Sequence, residues 1–171
     1  MVKMYINDPD NIIPVPYKQT SISAIRTKGD IDRILAKWQV KDIAWRWDPD
    51  NNDVFVTFQI IEEIDGKTVA PVVKIEPPRL WNKASTRGKH RKDSINWKVS
   101  LRVMFWYIKT HLEKAYLTQS SKTTEFLPHI VIPKLDDKTL KDVLVPNLDE
   151  QLKALPTMEK IYPNLDLEDQ S

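Results

Sequence analysis

The chain has 171 residues, with 26 lysines and arginines against 24 aspartates and glutamates, for a formal net charge of +2. Hydrophobic residues make up 41% and charged residues 29%, which is enough apolar material to bury roughly 70% of the unfolded surface and excludes a wholly disordered chain. Cysteine is absent, so disulfides, thiolate metal sites, iron–sulfur clusters and cysteine nucleophiles are excluded. No apolar run approaches the roughly 20 residues that span a bilayer. The first sixteen residues carry one lysine and no apolar signal core. A cytoplasmic protein is the expectation.

Three glycines, Gly29, Gly66 and Gly88, cannot build a phosphate-cradling loop, which needs several close together. Twelve prolines gather toward the two ends and between elements, where they break regular structure. The expected organisation is an extended N-terminal arm over 1–16, one α+β domain over 17–134, and an acidic C-terminal arm over 135–171.

In chain order, Gln19 to Ile25 alternates and predicts a short strand. Thr27-Lys28-Gly29-Asp30 approximates a capping box with Asp30 in place of the usual Glu, and a helix over Thr27 to Val40 should follow. Ile31, Ile34, Leu35 and Trp38 supply its apolar face. Asp42 to Trp47 predicts a strand, and Asp48-Pro49-Asp50-Asn51-Asn52-Asp53 a turn. Val54, Val56, Phe58 and Ile60 alternate with Phe55, Thr57 and Gln59, giving a strand with one apolar face. Asp65-Gly66 marks a hairpin turn before a strand over Val69 to Ile75, and Glu76-Pro77-Pro78 ends the sheet. The fold expected from this order is a small antiparallel sheet, built as a strand, a helix and a three-stranded meander.

A polar loop should run from Arg79 to Asp93, and a long helix from Ser94 or Ile95 to Leu117. On that helix Trp97, Leu101, Met104, Ile108, Leu112 and Ala115 fall in a band about 80° wide, which is the seam that covers the sheet. Leu127 to Ile132 predicts one more strand. Thr139 to Val143 and Leu148 to Leu155 predict short helices, and the last ten residues a loose end.

Charge placement carries the functional reading. Between Arg79 and Arg102 lie eight basic residues and one acid, Asp93, about +7 locally. From Leu135 to Ser171 there are nine acids and four lysines, about −5. Arg87, Lys89, Arg91 and Lys92 concentrate four cations in one loop, and each phosphate they neutralise would release condensed counterions. Lys98, Arg102 and Lys109 project within about 40° of one another on the long helix, roughly 100° from its core seam. Trp106 and Phe105 flank that stripe. Cations with interleaved aromatics suit a single strand, with charge for its backbone and flat rings for its unstacked bases. Trp106 and Trp81 are the expected stacking residues, and self-association through the acidic tail is a further expectation. Trp38 and Trp97 are expected in the core. For Trp45 and Trp47, packing under the long helix is favoured over an exposed binding face.

Catalytic signals are weak. His90, His111 and His129 lie far apart in sequence, in different predicted elements, and no metal or other cofactor is expected. His111 is expected to be half-buried on the helix. The Asp48–Asp53 run lacks the glycine and closing glutamate of a calcium loop. Glu62-Glu63 and Asp136-Asp137 are adjacent acids whose side chains diverge or align poorly. Asp65, Glu76 and Glu113 could converge as a nuclease's acids would, but nothing singles them out. Ser120-Ser121 lacks a nucleophile elbow. An enzyme is therefore disfavoured, with a metal-dependent nuclease as the third reading.

Several segments together resemble a family of small bacteriophage and prophage proteins of uncharacterised function. They are Thr20-Ser21-Ile22, Ile31 through Trp38, the Phe58 strand, Trp97, Leu101, Ile108-Lys109, Leu112-Glu113, Glu125 through Pro128 and Ile130 through Pro133, with the apolar residues from Leu140 to Val145. Where that family usually has a glycine after the first helix, this chain has Gln39. The resemblance implies a viral setting and supplies no catalytic residues. The element order is also loosely similar to the cores of phage single-strand annealing proteins, an analogy of fold alone. The leading expectation is thus a non-enzymatic single-stranded DNA-binding protein of replication or recombination. The alternative is a phage factor that binds and inhibits a host protein.

Overall fold

A computed structural model describes residues 3–9, 11, 13–64, 66–84, 93–133 and 138–145. The loop cations Arg87, Lys89, Arg91 and Lys92, His90, Asp65, Asp136-Asp137 and the predicted helix Leu148–Leu155 lie outside the described residues, as does the acidic chain from 146 onward.

The domain is α+β. Strands β2 (Lys41–Asp48), β3 (Asp53–Gln59) and β6 (Val72–Ile75) form an antiparallel sheet in the order β2–β3–β6. The predicted strand Val69–Ile75 is split into β5 (Lys67–Val69) and β6 by Ala70-Pro71, because proline has no N–H to give the ladder. Ile60 N–H still donates to the Pro71 carbonyl at 3.1 Å, so pairing resumes in β4 (Glu62–Ile64) and β5 as the tip of the same long hairpin. Gly66, at φ +71, supplies the left-handed residue its two-residue turn needs.

Helix α1 (Ala24–Lys37) starts earlier than the Thr27 box predicts, and Gln19–Ile25 is not a strand. The cap is Ser23, whose hydroxyl accepts the Arg26 N–H at 3.2 Å. Thr27 is fully buried because it begins the Thr27, Ile31, Leu35 row, one residue per turn along the face that meets the core. At the other end Gln39 N–H donates to Ala36 and Val40 N–H to Leu35, with Gln39 at φ +60. That left-handed closure is the one a glycine usually makes, and buried Val40 and Leu35 complete it.

The long helix, α2 (Trp97–Leu117), is capped by Asn96, which accepts from Val99 N–H at 3.1 Å. Leu101, Met104, Ile108 and Leu112 are essentially inaccessible and meet Val56, Phe58, Ile60, Val73 and Ile75 of the sheet. Phe126, just after the short helix α3 (Lys122–Glu125), closes the layer edge-on against Phe58 at 5.6 Å. Burying such side chains at about 25 cal/mol per Å² is what holds the layers together. Helix α1 lies beside α2 and runs the same way: Asp30, midway along α1, meets Arg102 in the first half of α2, and Trp38 meets Tyr116 near their ends.

Two further differences follow from segments too short to show periodicity. The loop expected over Arg79–Asp93 contains β7 (Leu80–Asn82), which pairs antiparallel with β8 (Ser94–Ile95) and parallel with β1 (Met4–Tyr5). Ile6, Val15, Leu80 and Val99 form a second apolar cluster, so much of the N-terminal arm is fastened to the domain. Leu127–Ile132 is not a strand. It is a tight helical turn, Leu127–His129, followed by single bridges from Ile130 to Val73 and from Val131 to Thr139. Residues 140–145 are helical, in keeping with the predicted Thr139–Val143 helix, and Thr139 and Asp142 exchange hydrogen bonds across their start.

Candidate nucleic-acid interface

The seam of α2 that faces the sheet leaves another of its faces for Lys98, Arg102, Trp106 and Lys109. Lys98 is exposed, and among the described residues it makes no ion pair. One turn on, Arg102 is only 15% exposed and pairs with Asp30 of α1 at 3.3 Å, and its guanidinium lies over Phe105 at 4.6 Å and Trp106 at 5.7 Å. Lys109 sits over the Trp106 ring at 5.2 Å and pairs with Glu113 one turn further. A cation therefore stands one turn before and one turn after Trp106, each steadied by an acid. The stripe is a ladder of cation–aromatic contacts, with Lys98 its least encumbered charge.

The Trp106 ring also lies nearly parallel to Tyr17, at 10° and 5.9 Å between centroids. Tyr17, Lys18, Gln19, Thr20 and Ile22 on one side, with Arg102 and Trp106 on the other, line an open groove of about 540 Å³. From sequence a strand is expected from Gln19 to Ile25, with Tyr17 and Lys18 before it, and nothing there signals a groove wall.

Trp81 is brought elsewhere. It lies on β7 at the N-terminal end of α2, half-buried, with Lys3 over its ring at 4.5 Å. The root of the basic loop is pinned beside it. Asp93 accepts from the Tyr5 hydroxyl at 2.7 Å, from Ala84 N–H at 3.0 Å and from Lys3 at 3.0 Å. Led by the Tyr5 hydrogen bond, these donors hold the Asp93 carboxyl at about 2, well below its ordinary value. Exposed Arg79 and Lys83 flank that root. The loop's one acid thus ties its two ends together.

Trp38 and Trp97 are partly buried against the core. Trp45 also packs there, donates its indole N–H to Asp32 at 2.6 Å and carries Lys28 over its ring, whereas Trp47 remains 37% exposed. Asp48 accepts from Asn51 within the 48–53 turn.

Two histidines come together, contrary to the separation expected from their positions in the chain. The Tyr107 hydroxyl and His129 Nε2 are 2.7 Å apart, and the half-buried His111 ring packs on Tyr107 at 4.0 Å. Burial raises the Tyr107 phenol; burial, joined by repulsion from Lys141 and His111, lowers His129. A protonated phenol donating to a neutral imidazole satisfies both shifts. Glu76 pairs with Lys74 and Glu113 with Lys109, so these acids are engaged separately. Among the described residues no three or more histidines and acids gather as a metal site, and no helix is long and apolar enough to cross a membrane.

No family model matches the chain, and neither a curated protein nor a solved structure matches it.

Proposed function

We propose that the protein binds nucleic acid without sequence preference, taking single strands in preference to duplex. One observation carries the reading: Trp106 stands between Arg102 and Lys109 on an accessible helix face, with a groove at its side. Charge alone would serve any polyanion. A flat ring between cations adds a surface for an unstacked base, which a duplex does not offer.

In this reading Lys98 and Lys109 contact phosphates, together with Arg79, Lys83 and the loop cations Arg87, Lys89, Arg91 and Lys92. Trp106 stacks. Arg102, held by Asp30, fixes the Trp106 ring and contributes field more than direct contact. Trp81 lines the path from the loop root. A viral role in replication or recombination comes with the phage resemblance, as does the competing proposal of a factor that binds a host protein.

Titrating labelled single-stranded DNA, duplex DNA and RNA with the full chain, with and without magnesium or manganese, tests the reading. Binding that favours a single strand and leaves the probe intact supports it. Absence of binding at low salt would leave the host-protein reading in its place, and metal-dependent loss of the probe would make the protein a nuclease.

A further inference from the structure

Two unfavourable features meet at the groove beside Trp106. Tyr17 has φ +60, a left-handed conformation that side-chain-bearing residues rarely adopt, in a turn closed by Thr20 N–H donating to the Tyr17 carbonyl at 2.9 Å. Among the described residues the buried indole N–H of Trp106 finds no hydrogen-bond partner. Phenylalanine would occupy much of the same space without stranding a donor, and a relaxed backbone would carry the Tyr17 ring elsewhere. What the two together achieve is position. The rings lie 10° from parallel, and Tyr17 remains 40% exposed. Backbone strain of this kind concentrates where a geometry is held for use.

The surrounding charge selects the occupant. Exposed Lys18 and the Asp30-paired Arg102 line the groove, Lys109, paired with Glu113, lies over the Trp106 ring, and exposed Lys98 stands one turn before Arg102 on α2. The groove is flat, aromatic and cationic at its rim. That chemistry suits an aromatic heterocycle attached to an anionic backbone.

We infer that Tyr17 and Trp106 form a base-stacking step, where one unpaired nucleobase lies on the paired rings while Lys18, Lys98 and Lys109 hold the flanking phosphates. The inference rests on the nucleic-acid reading above, in which Trp106 stacks, and adds Tyr17 as the second ring of that contact. It assigns Tyr17 to the site, and it makes recognition depend on bases as well as charge.

An abasic strand separates the two claims, because it keeps the charge and removes the bases. Anisotropy titrations of the full chain with an oligothymidine and an abasic strand of equal length should show the oligothymidine bound about ten-fold more tightly. Tyr17→Ala should erase that ratio and Tyr17→Phe should keep it, whereas Lys98→Ala should weaken both strands alike. Tryptophan emission should be quenched by the oligothymidine, and the quenching should shrink in Trp106→Phe. Equal wild-type affinity for the two strands would overturn the stacking step, the part of Trp106 included, and leave only charge-driven binding of nucleic acid standing; a ratio kept in Tyr17→Ala would overturn the assignment of Tyr17 alone. Failure to bind either strand would overturn both. The wild-type comparison needs no variant, so it holds even if Tyr17→Ala fails to fold.

Discussion

Asp30 of the first helix holds Arg102 of the second at 3.3 Å, with both side chains less than a fifth exposed. The same carboxylate also reaches Arg33 at 3.1 Å, so one acid joins the two helices and restrains the cation beside Trp106. Asp30→Asn should lower stability by about 1 kcal/mol and at the same time tighten binding to single-stranded DNA, because removing the carboxylate strengthens the positive field of Arg102 at the groove. Denaturant melts and anisotropy on one preparation measure both effects. Weaker binding at unchanged stability would show that Arg102 acts only where Asp30 holds it.

The root of the basic loop has a pH signature. Asp93 titrates at about 2 in the folded chain, below its ordinary 3.8, because Tyr5, Ala84 and Lys3 donate to its charged form. A depressed carboxylate stabilises the fold above its ordinary value, and that contribution fades as pH falls toward 2. Exchange of the Ala84 amide should therefore remain protected at pH 4 and quicken as the acid is protonated. Asp93→Ala, which has no acceptor for the Ala84 N–H, should show fast exchange across the whole range. Equal protection in the two proteins would mean that the clamp does not hold the loop.

Both long helices end on a glutamine in the left-handed region, Gln39 at φ +60 and Gln119 at φ +53. Each is followed by a closing bond, from Val40 N–H to Leu35 and from Ser120 N–H to Ala115. Gln39→Gly and Gln119→Gly should each stabilise the protein by about 0.5–1 kcal/mol, net of glycine's greater unfolded entropy. Thermal denaturation reads the gain. A loss in either variant would mean that the glutamine side chain contributes more than its backbone strain costs.

Glu62 reaches across from the hairpin to the start of the third helix, where its carboxylate accepts from the Ser121 hydroxyl and from the N–H groups of Lys122 and Thr123, at 2.6 to 3.0 Å. Desolvation opposes the charge, but these hydrogen bonds outweigh it and the carboxyl is lowered. Glu62→Ala should cost about 1–2 kcal/mol, with the loss largest at neutral pH and smaller once Glu62 is protonated in wild type. Melts at pH 7 and pH 3 test the sign.

What the sequence makes legible here is what repeats. Val54, Val56, Phe58 and Ile60 alternate, and the α2 seam from Leu101 to Ala115 recurs each turn, so the principal layers follow from period alone. Ser23 has Arg26 rather than an acid three residues on, so the Thr27 box is the stronger signal in the sequence. Strands β1, β7 and β8 have two or three residues each, too few for a pattern, and Met4 finds Leu80 only through the tertiary fold. The candidate site divides the same way. Lys98, Arg102, Trp106 and Lys109 share a helix face and can be read from spacing. The restraint on Arg102 comes from Asp30, 72 residues away, and the Tyr17 ring arrives through a turn whose backbone no local propensity favours.

The most direct measurement is the salt dependence of single-stranded DNA binding in wild type and in Lys98→Ala, Lys109→Ala. Each phosphate contact removed from a single strand should reduce the log–log slope by about 0.7, so the double variant should lie about 1.4 below wild type. A parallel slope with unchanged affinity would place the nucleic-acid contact off this helix face and contradict the account.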